Sequence, residues 1–235
     1  MVSIAAKVNM NQEPNIAINI KKYSLSNIIN LDLKKFCVFD FSNSNFELKK
    51  IDLTNPADFQ EYINLKISEK KAFFGVGKYK EERIIYNHSK LFSGNNPRTI
   101  HLGIDLFVPY GTEVFCPIEG VVHSVKHNDL QGDYGPTIIL EHNLDALKFY
   151  TLYGHLSIKS IENIEPGKKF KTGAFIGHVG TYPTNGGWPS HLHFQIIKDL
   201  LGNIGDFPGV CSSDDKDLFF ELCPDPNIIL RLPLK

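Results

Sequence analysis

Short apolar runs follow one another closely through the second half of the chain, with glycine or proline between them. The runs are rich in β-branched and aromatic residues, and the last of them also alternates apolar with polar positions; both features predict strands. The clearest runs are residues 112–127, 136–143, 147–156, 168–180 and 190–197. So many short runs at close spacing favour an antiparallel sandwich or barrel. Residues 111–125 and 166–180 are similar in layout, which hints at an internal duplication.

The first 95 residues have a different texture, rich in Asn, Lys and Ser and poor in Gly. KKFCVFDF (34–41) and FELKKIDL (46–53) predict two short strands. We expect residues 1–95 to form a mixed α+β appendage of unknown role, packed on a mainly β domain of residues 96–235.

One helix is predicted within this appendage, over residues 55–67 (NPADFQEYINLKI). Asn55 can cap its amino end, and Pro56 suits the first turn. Asp58 places a negative charge at the positive end of the helix dipole.

Composition limits the possible partners. Among the 235 residues, 25 Lys and Arg balance 26 Asp and Glu, for a net charge of −1. This balance argues against broad attraction to nucleic acid or to an anionic membrane. The sequence has no apolar run of the roughly 20 residues that span a bilayer, and its start does not resemble an export signal, so a cytoplasmic location is expected.

The four cysteines, Cys37, Cys116, Cys211 and Cys223, are widely spaced and form no CxxC pair. This spacing predicts buried thiols and argues against a disulfide framework or a cysteine-rich zinc site.

Two histidines lie one residue apart in SHLHFQI (190–196). In a strand, His191 and His193 share one face with Gln195, and the apolar residues between them face the core. The pair is therefore aimed in one direction, within reach of a single ion. A coincidental pair on a hydrogen-bonded strand face is the alternative interpretation.

HLGIDL (101–106) offers a second set of donors. A strand places His101, Gly103 and Asp105 on one face, and a helix would also bring His101 and Asp105 together. The β-like flanks and the glycine favour the strand. Catalytic zinc sites use three protein ligands and leave a fourth position open. His101, Asp105 and one histidine of the 191/193 pair would make such a set, unless the first two are simply hydrogen-bonded.

A third element is YGHLS (153–157), at the end of a predicted strand. His155 shares a face with Tyr153, which either lines a groove or packs in the core. In a zinc hydrolase, a histidine at this place can hydrogen-bond the reacting water or the developing oxyanion.

The chain resembles the lysostaphin-type zinc metallopeptidases, which cleave peptidoglycan peptides. The resemblance lies in three motifs in this order: HxxxD in HLGID, then YGHLS, then HLHF. The resemblance is strongest over residues 98–198 and implies that family's duplicated hybrid motif, a barrel-sandwich-like antiparallel β fold. It further implies one Zn²⁺ per chain, held by His101, Asp105 and His193. His155 and His191 would be the catalytic pair.

The resemblance implies an endopeptidase that acts on a short peptidoglycan-type (muropeptide-like) peptide, or on one containing glycine or D-amino acids. The family often has an acid where this chain has Gln195. TYPTNGGWPSH (181–191) would form a wall of the groove with Trp188. The remaining histidines are expected to be structural or at the surface: His88, His123, His127, His142 and His178.

Two other functions fit parts of the pattern. A non-catalytic binding or regulatory module could retain the fold, although such modules commonly lose ligand residues that are all present here. A carbohydrate-phosphotransfer domain of similar topology carries phosphate on a histidine. Its chemistry needs no aspartate ligand, so Asp105 counts against it.

Overall fold

The computed structural model describes residues 16–87, 89–145 and 147–234 of the chain. Residues 1–15, which begin the sequence inspected for an export signal, lie outside the described residues, as does His88. None of the helices in the described ranges is long and apolar enough to cross a membrane.

The described residues are mostly β. The strands are β1 (Phe36–Val38), β2 (Phe74–Gly77), β3 (Arg98–His101), β4 (Ile104–Phe107), β5 (Glu113–Phe115), β6 (Gly120–Asn128), β7 (Gly135–Leu144), β8 (Leu147–Gly154), β9 (Lys169–Phe170), β10 (Phe175–His178), β11 (Leu192–Ile197) and β12 (Val210–Ser212). The helices are α1 (Ile16–Asn19), α2 (Pro56–Glu69), α3 (Lys216–Leu222) and α4 (Asn227–Leu230). Short 3₁₀ turns cover Ile20–Lys22, Leu48–Lys50, Ile84–Tyr86 and Ile158–Ser160.

One large sheet organises the molecule, in the order β1-β2-β4-β11-β8-β7-β6-β9. β1 and β2 run parallel, and the other neighbours are antiparallel. Two smaller sheets pair β10 with β5 and β12 with β3. The mainly antiparallel β architecture predicted from the sequence is thereby confirmed, and closure into a barrel-sandwich stays a prediction.

The runs predicted as strands after residue 110 all contain strands at the expected places. HLGIDL was predicted as one strand, but it is divided between two: β3 ends at His101, the chain bends at Gly103 and β4 begins at Ile104. The break occurs because Leu102 and Ile104 enter two different apolar clusters. The backbone N–H of Leu102 donates to the carbonyl of Gly209, 2.9 Å away, instead of to a neighbouring sheet strand.

The N-terminal predictions have mixed outcomes. Helix α2 is confirmed, with Pro56 in its first turn and the Asn55 side chain accepting a hydrogen bond from the Ala57 N–H at 3.0 Å. The strand predicted over 46–53 is wrong, because Leu48 begins a 3₁₀ turn. Leu48, which is buried, and Ile51, which is half-buried, are three residues apart, which matches the repeat of a 3₁₀ turn.

Strands β1 and β2, from the first 95 residues, extend the large sheet beyond β4. An aromatic-rich cluster, including Phe39, Phe41 and Phe59, packs against Phe107 of β4. The sequence boundary near residue 95 stays a prediction. The four cysteines are buried free thiols, as expected.

Candidate metal centre

A single row of residues crosses four adjacent strands of the large sheet. Gly77 of β2 is opposite Asp105 of β4, Asp105 is opposite His193 of β11, and His193 is opposite Gly154 of β8. Side chains at paired positions lie on the same face with Cβ atoms about 4.5–5.5 Å apart. The register therefore brings Asp105 and His193 together.

His101 joins this row from the end of β3, and three ligand atoms converge. His101 Nε2 lies 3.0 Å from His193 Nδ1 and 3.2 Å from Asp105 Oδ1. His193 Nδ1 lies 3.1 Å from the same Asp105 oxygen. Each of these side chains is at most 4% exposed. Sequence reasoning proposed these three residues, and the structure brings them together.

The outer nitrogen of His101 fixes which of its ring nitrogens carries a proton. Nδ1 lies 3.0 Å from the backbone carbonyl of Lys78, which can only accept a hydrogen bond. In the neutral ring, Nε2 is therefore the nitrogen with the free lone pair. Burial, aided by the charge of Arg83, lowers the pKa of His101 to about 3, so the ring is neutral at ordinary pH.

Gln195 fixes in the same way which ring nitrogen of His193 carries a proton. The Gln195 Nε2 donates to the carbonyl of Pro208 at 3.1 Å, which directs Oε1 toward His193. His193 Nε2 then donates to that oxygen at 2.9 Å and leaves Nδ1 as the acceptor in the neutral ring. The sequence predicted that Gln195 shares a face with the two histidines, but it did not predict the hydrogen bond between Gln195 and His193.

The two carboxylate oxygens of Asp105 have different partners. Oδ1 faces the histidines, whereas Oδ2 accepts a hydrogen bond of 2.6 Å from Arg83 Nη1. Burial opposes ionisation, but the neighbouring His101 and Arg83 outweigh it and hold the pKa of Asp105 well below its usual value. The guanidinium is the neighbour with a permanent charge. Sequence reasoning missed Arg83, which lies ahead of the three motifs that predicted the site.

His155 and His191 stand beside this cluster, with ring centroids 4.2 Å apart. Each Nδ1 lies near a backbone carbonyl, that of Asn185 at 2.8 Å for His155 and that of Pro189 at 2.7 Å for His191. Their Nε2 atoms therefore carry the lone pairs. Burial lowers the pKa of both histidines, which keeps the rings neutral. The Nε2 of His191 is 3.7 Å from Asp105 Oδ1.

His155 has a left-handed backbone, with φ of 59°. This conformation is uncommon for a residue with a side chain. It is held by the His155 N–H, which donates to the Tyr134 carbonyl at 2.7 Å, and by the bond from its ring to Asn185. The predicted strand β8 ends at Gly154, so the turn brings the imidazole to the cluster.

Gly103 gives the His193 ring the space it occupies. A Cβ at this position would lie 2.5 Å from His193 Cε1 and 2.9 Å from the Phe194 carbonyl oxygen. Any other side chain would displace the ring or the backbone.

A cavity of about 270 Å³ opens beside the five residues. Trp188 lines it, as expected for a groove wall, whereas Tyr153 is fully buried in the core. The first 95 residues and the C-terminal part also contribute to its lining. The aromatic side chains around it are Phe59, Tyr86, Phe92, Phe107, Tyr134, Trp188 and Phe207.

The remaining described histidines lie away from the cavity lining. His142 shows the contrast most clearly, because it is fully buried and both ring nitrogens have protein partners. Nδ1 lies 2.8 Å from the Glu119 carbonyl and Nε2 lies 2.7 Å from the Thr151 hydroxyl. These contacts fit the structural role expected for it.

Fold and site together define a mainly β domain with a buried His-Asp-His cluster able to hold a metal ion. Residues 99–203 match the sequence model of Peptidase family M23. The match covers a little under half of the chain, and the predicted resemblance to lysostaphin-type peptidases is confirmed over these residues.

Solved structures give matches of low identity. The chain is 19% identical to a Pseudomonas aeruginosa protein assigned to peptidase M23, covering 62% of this chain and 53% of that one, with a TM-score of 0.38. It is 22% identical to a zinc-containing peptidase from Vibrio cholerae, covering 53% and 32%, with a TM-score of 0.35. It is 20% identical to the catalytic domain of lysostaphin from Staphylococcus simulans, covering 68% and 96%, with a TM-score of 0.40. The chain thus spans about half or less of the first two proteins. No curated protein sequence matches it significantly.

Proposed function

We propose that the protein is a zinc-dependent metallopeptidase that hydrolyses a peptide bond. The observation that carries this proposal is the convergence of lone pairs on one buried point. Three of them belong to His101 Nε2, Asp105 Oδ1 and His193 Nδ1, and the outer atom of each group is held by another protein group. Acceptors 3.0–3.2 Å apart repel one another unless a cation lies between them.

The alternative of a simple His–Asp hydrogen bond fits less well. It would require a proton on His101 Nε2, whereas the Lys78 carbonyl requires that proton on Nδ1. A ring protonated on both nitrogens would satisfy both contacts, but the pKa of about 3 argues against it at neutral pH.

The donor set and its spacing suit zinc. Nitrogen and carboxylate oxygen bind zinc at about 2.0–2.2 Å, which puts tetrahedral ligands roughly 3.3 Å apart. The three edges of 3.0, 3.1 and 3.2 Å come close to that value. We propose one zinc per chain, with three protein ligands and an open position.

When bound, zinc would polarise the scissile carbonyl and lower the pKa of water toward about 7. The neutral rings of His155 and His191 present Nε2 lone pairs beside it, able to orient water and to accept its proton. Once protonated, such a ring can stabilise the oxyanion by hydrogen bonding or pass the proton to the leaving amine. Burial of both rings keeps them neutral and ready to accept.

We propose that the substrate is a short peptide of the peptidoglycan type (muropeptide-like), or one that contains glycine or D-amino acids, cleaved internally. The cavity beside the ligands supports a peptide-sized substrate, and its aromatic lining supports contact with apolar groups.

The test is hydrolysis of a panel of short peptides, with and without glycine and D-amino acids, followed by mass spectrometry. We expect internal cleavage that stops when a chelator removes the metal and returns when zinc is restored. His127→Ala, which changes an exposed histidine outside the cavity lining, serves as the matched control and should leave cleavage unchanged. A metal-loaded protein that binds but never cleaves the peptides would instead favour the non-catalytic module.

A further inference from the structure

Arg83 is a buried cation whose side chain reaches the proposed metal ligand Asp105 from the first 95 residues of the chain. Its side chain is 1% exposed, and Nη1 donates to Asp105 Oδ2 at 2.6 Å. The other oxygen of Asp105 faces the histidines. The arginine thus occupies one carboxylate oxygen and leaves the other for the cluster.

The guanidinium is fixed by several further partners. Nε donates to Glu81 Oε2 at 2.9 Å, Nη1 to the Tyr86 hydroxyl at 3.1 Å, and Nη2 to the Lys78 carbonyl at 3.1 Å. Glu81 is itself held, because its second oxygen accepts from the Phe41 N–H at 3.2 Å. A planar fork with this many fixed contacts has little freedom to turn away from the carboxylate.

The segment that supplies Arg83 contacts a second proposed ligand as well. The same Lys78 carbonyl that accepts from Arg83 Nη2 also lies 3.0 Å from His101 Nδ1. Residues 78–83 therefore orient both His101 and Asp105.

The chain keeps space for this arrangement at Gly77. A Cβ there would lie 2.7 Å from Arg83 Nη2 and 3.2 Å from Asp105 Oδ2. A side chain at position 77 would press on both groups of the pair at once.

We propose that Arg83 is a positioning residue for the metal, and this inference rests on the zinc site of the proposed function. By holding Oδ2, Arg83 restricts Asp105 to binding a metal through Oδ1 alone, and this keeps a coordination position open. Carboxylates bind metals through one oxygen or both, so the restriction has to come from the protein. The N-terminal segment is then part of the metal centre and not only an appendage to it.

The test compares wild type with Arg83→Met and Arg83→Lys, each as the full chain. The readouts are the zinc dissociation constant, by competition with a chromophoric chelator, and the visible spectrum of the Co²⁺-substituted protein. In Arg83→Met we expect zinc binding to weaken about 10- to 100-fold. We also expect the cobalt absorption to lose intensity, because binding through both Asp105 oxygens raises the coordination number. Arg83→Lys should recover little, since an ammonium is a point charge without the fork.

Lys66→Met is the matched control. It removes a positive charge from the first 95 residues and ion pairs to Glu47 and Glu69, but it lies in helix α2, outside the set of residues that hold Arg83 and Asp105. Its zinc affinity and cobalt spectrum should match wild type. Should Arg83→Met fail to fold, Gly77→Ala retains every charge and should shift both readouts in the same direction.

If Arg83→Met folds and keeps wild-type zinc affinity and an unchanged cobalt spectrum, the inference is overturned. If Arg83→Met does not fold, the same wild-type results in Gly77→Ala overturn it. If wild type itself binds neither metal, the proposed zinc function fails first and the role of Arg83 fails with it. The two failures are therefore distinguishable.

Discussion

Nε2 of His101 and Nδ1 of His193 lie 3.0 Å apart, although 92 positions separate the two residues in the sequence. The outer nitrogen of each ring is directed to a protein oxygen. The two inner lone pairs therefore face each other, an arrangement that only a cation or a shared proton makes stable. This relationship is the physical basis of the proposed zinc site.

Gly103→Ala should disturb the metal centre without changing any ligand. The new methyl would meet His193 Cε1 at 2.5 Å, so the ring has to leave the position in which it faces Asp105. We expect weaker zinc binding, together with a loss of about 1–3 kcal/mol in the free energy of unfolding from overpacking. Isothermal titration and chemical denaturation measure the two effects.

Gly202→Ala is the control for that substitution. Gly202 has a φ of 80° with open space around it, so alanine strains only the backbone there. The variant should lose stability and keep wild-type zinc affinity. Equal affinity in both variants would show that the His193 ring does not depend on Gly103.

Gln195→Leu should weaken zinc binding about 10- to 100-fold, because His193 Nε2 loses the acceptor that fixes its tautomer. Gln195→Glu keeps an acceptor oxygen at that place and should retain far more affinity. Competition titration of both variants at one pH separates the effect of the acceptor from that of the side-chain volume. Similar losses in both variants would argue against the tautomer explanation.

His155→Ala should keep its metal and lose turnover. The residue lies beside the cluster but outside the ligand triangle, and loss of a general base or acid costs about 10²- to 10⁴-fold in rate. Asp105→Ala should instead lose the metal. Zinc analysis and cleavage rates on the same preparations check both, and an active His155→Ala would remove the assigned role.

Acid should destabilise the protein through His142, which is part of neither the His-Asp-His cluster nor the cavity lining. Burial lowers its pKa to about 4, below the roughly 6.5 of an unfolded chain. Between these values the unfolded state binds more protons, so the stability contributed by the neutral ring is full above pH 6.5 and falls toward pH 4. The loss from this residue amounts to at most about 3 kcal/mol.

The check is urea denaturation from pH 7.5 to 5, with chelator present, in wild type and His142→Gln. The glutamine can keep one hydrogen bond and does not titrate, so its stability should decline less steeply with acid. Parallel pH profiles would show that another group accounts for the decline.

The sequence motifs predicted the proposed ligands and catalytic histidines, but not the residues that hold them in place. Strand alternation already placed His191 and His193 on one face, and the register then aligned His193 with Asp105. The family resemblance supplied the choice of His193 as ligand and of His155 and His191 as the catalytic pair, and these roles remain proposals. Polar residues on the face opposite a core-forming one carry a signal that a single sequence can show.

Arg83 could not be predicted, because its partner Asp105 is 22 positions away and no periodic pattern links a loop arginine to a strand carboxylate. The left-handed backbone of His155 was equally invisible, since it depends on tertiary bonds to Tyr134 and Asn185. The strand expected at 46–53 was wrong for a local reason: β-like composition does not separate a repeat of two from a repeat of three in eight residues.

The most direct test of the zinc site is the metal content of the full chain purified without chelator and without added metal, measured beside His193→Ala and the control His127→Ala. We expect about one zinc per chain in wild type and in the control, and none in His193→Ala. A wild-type protein that stays metal-free after zinc is added at neutral pH would rule out the proposed zinc site.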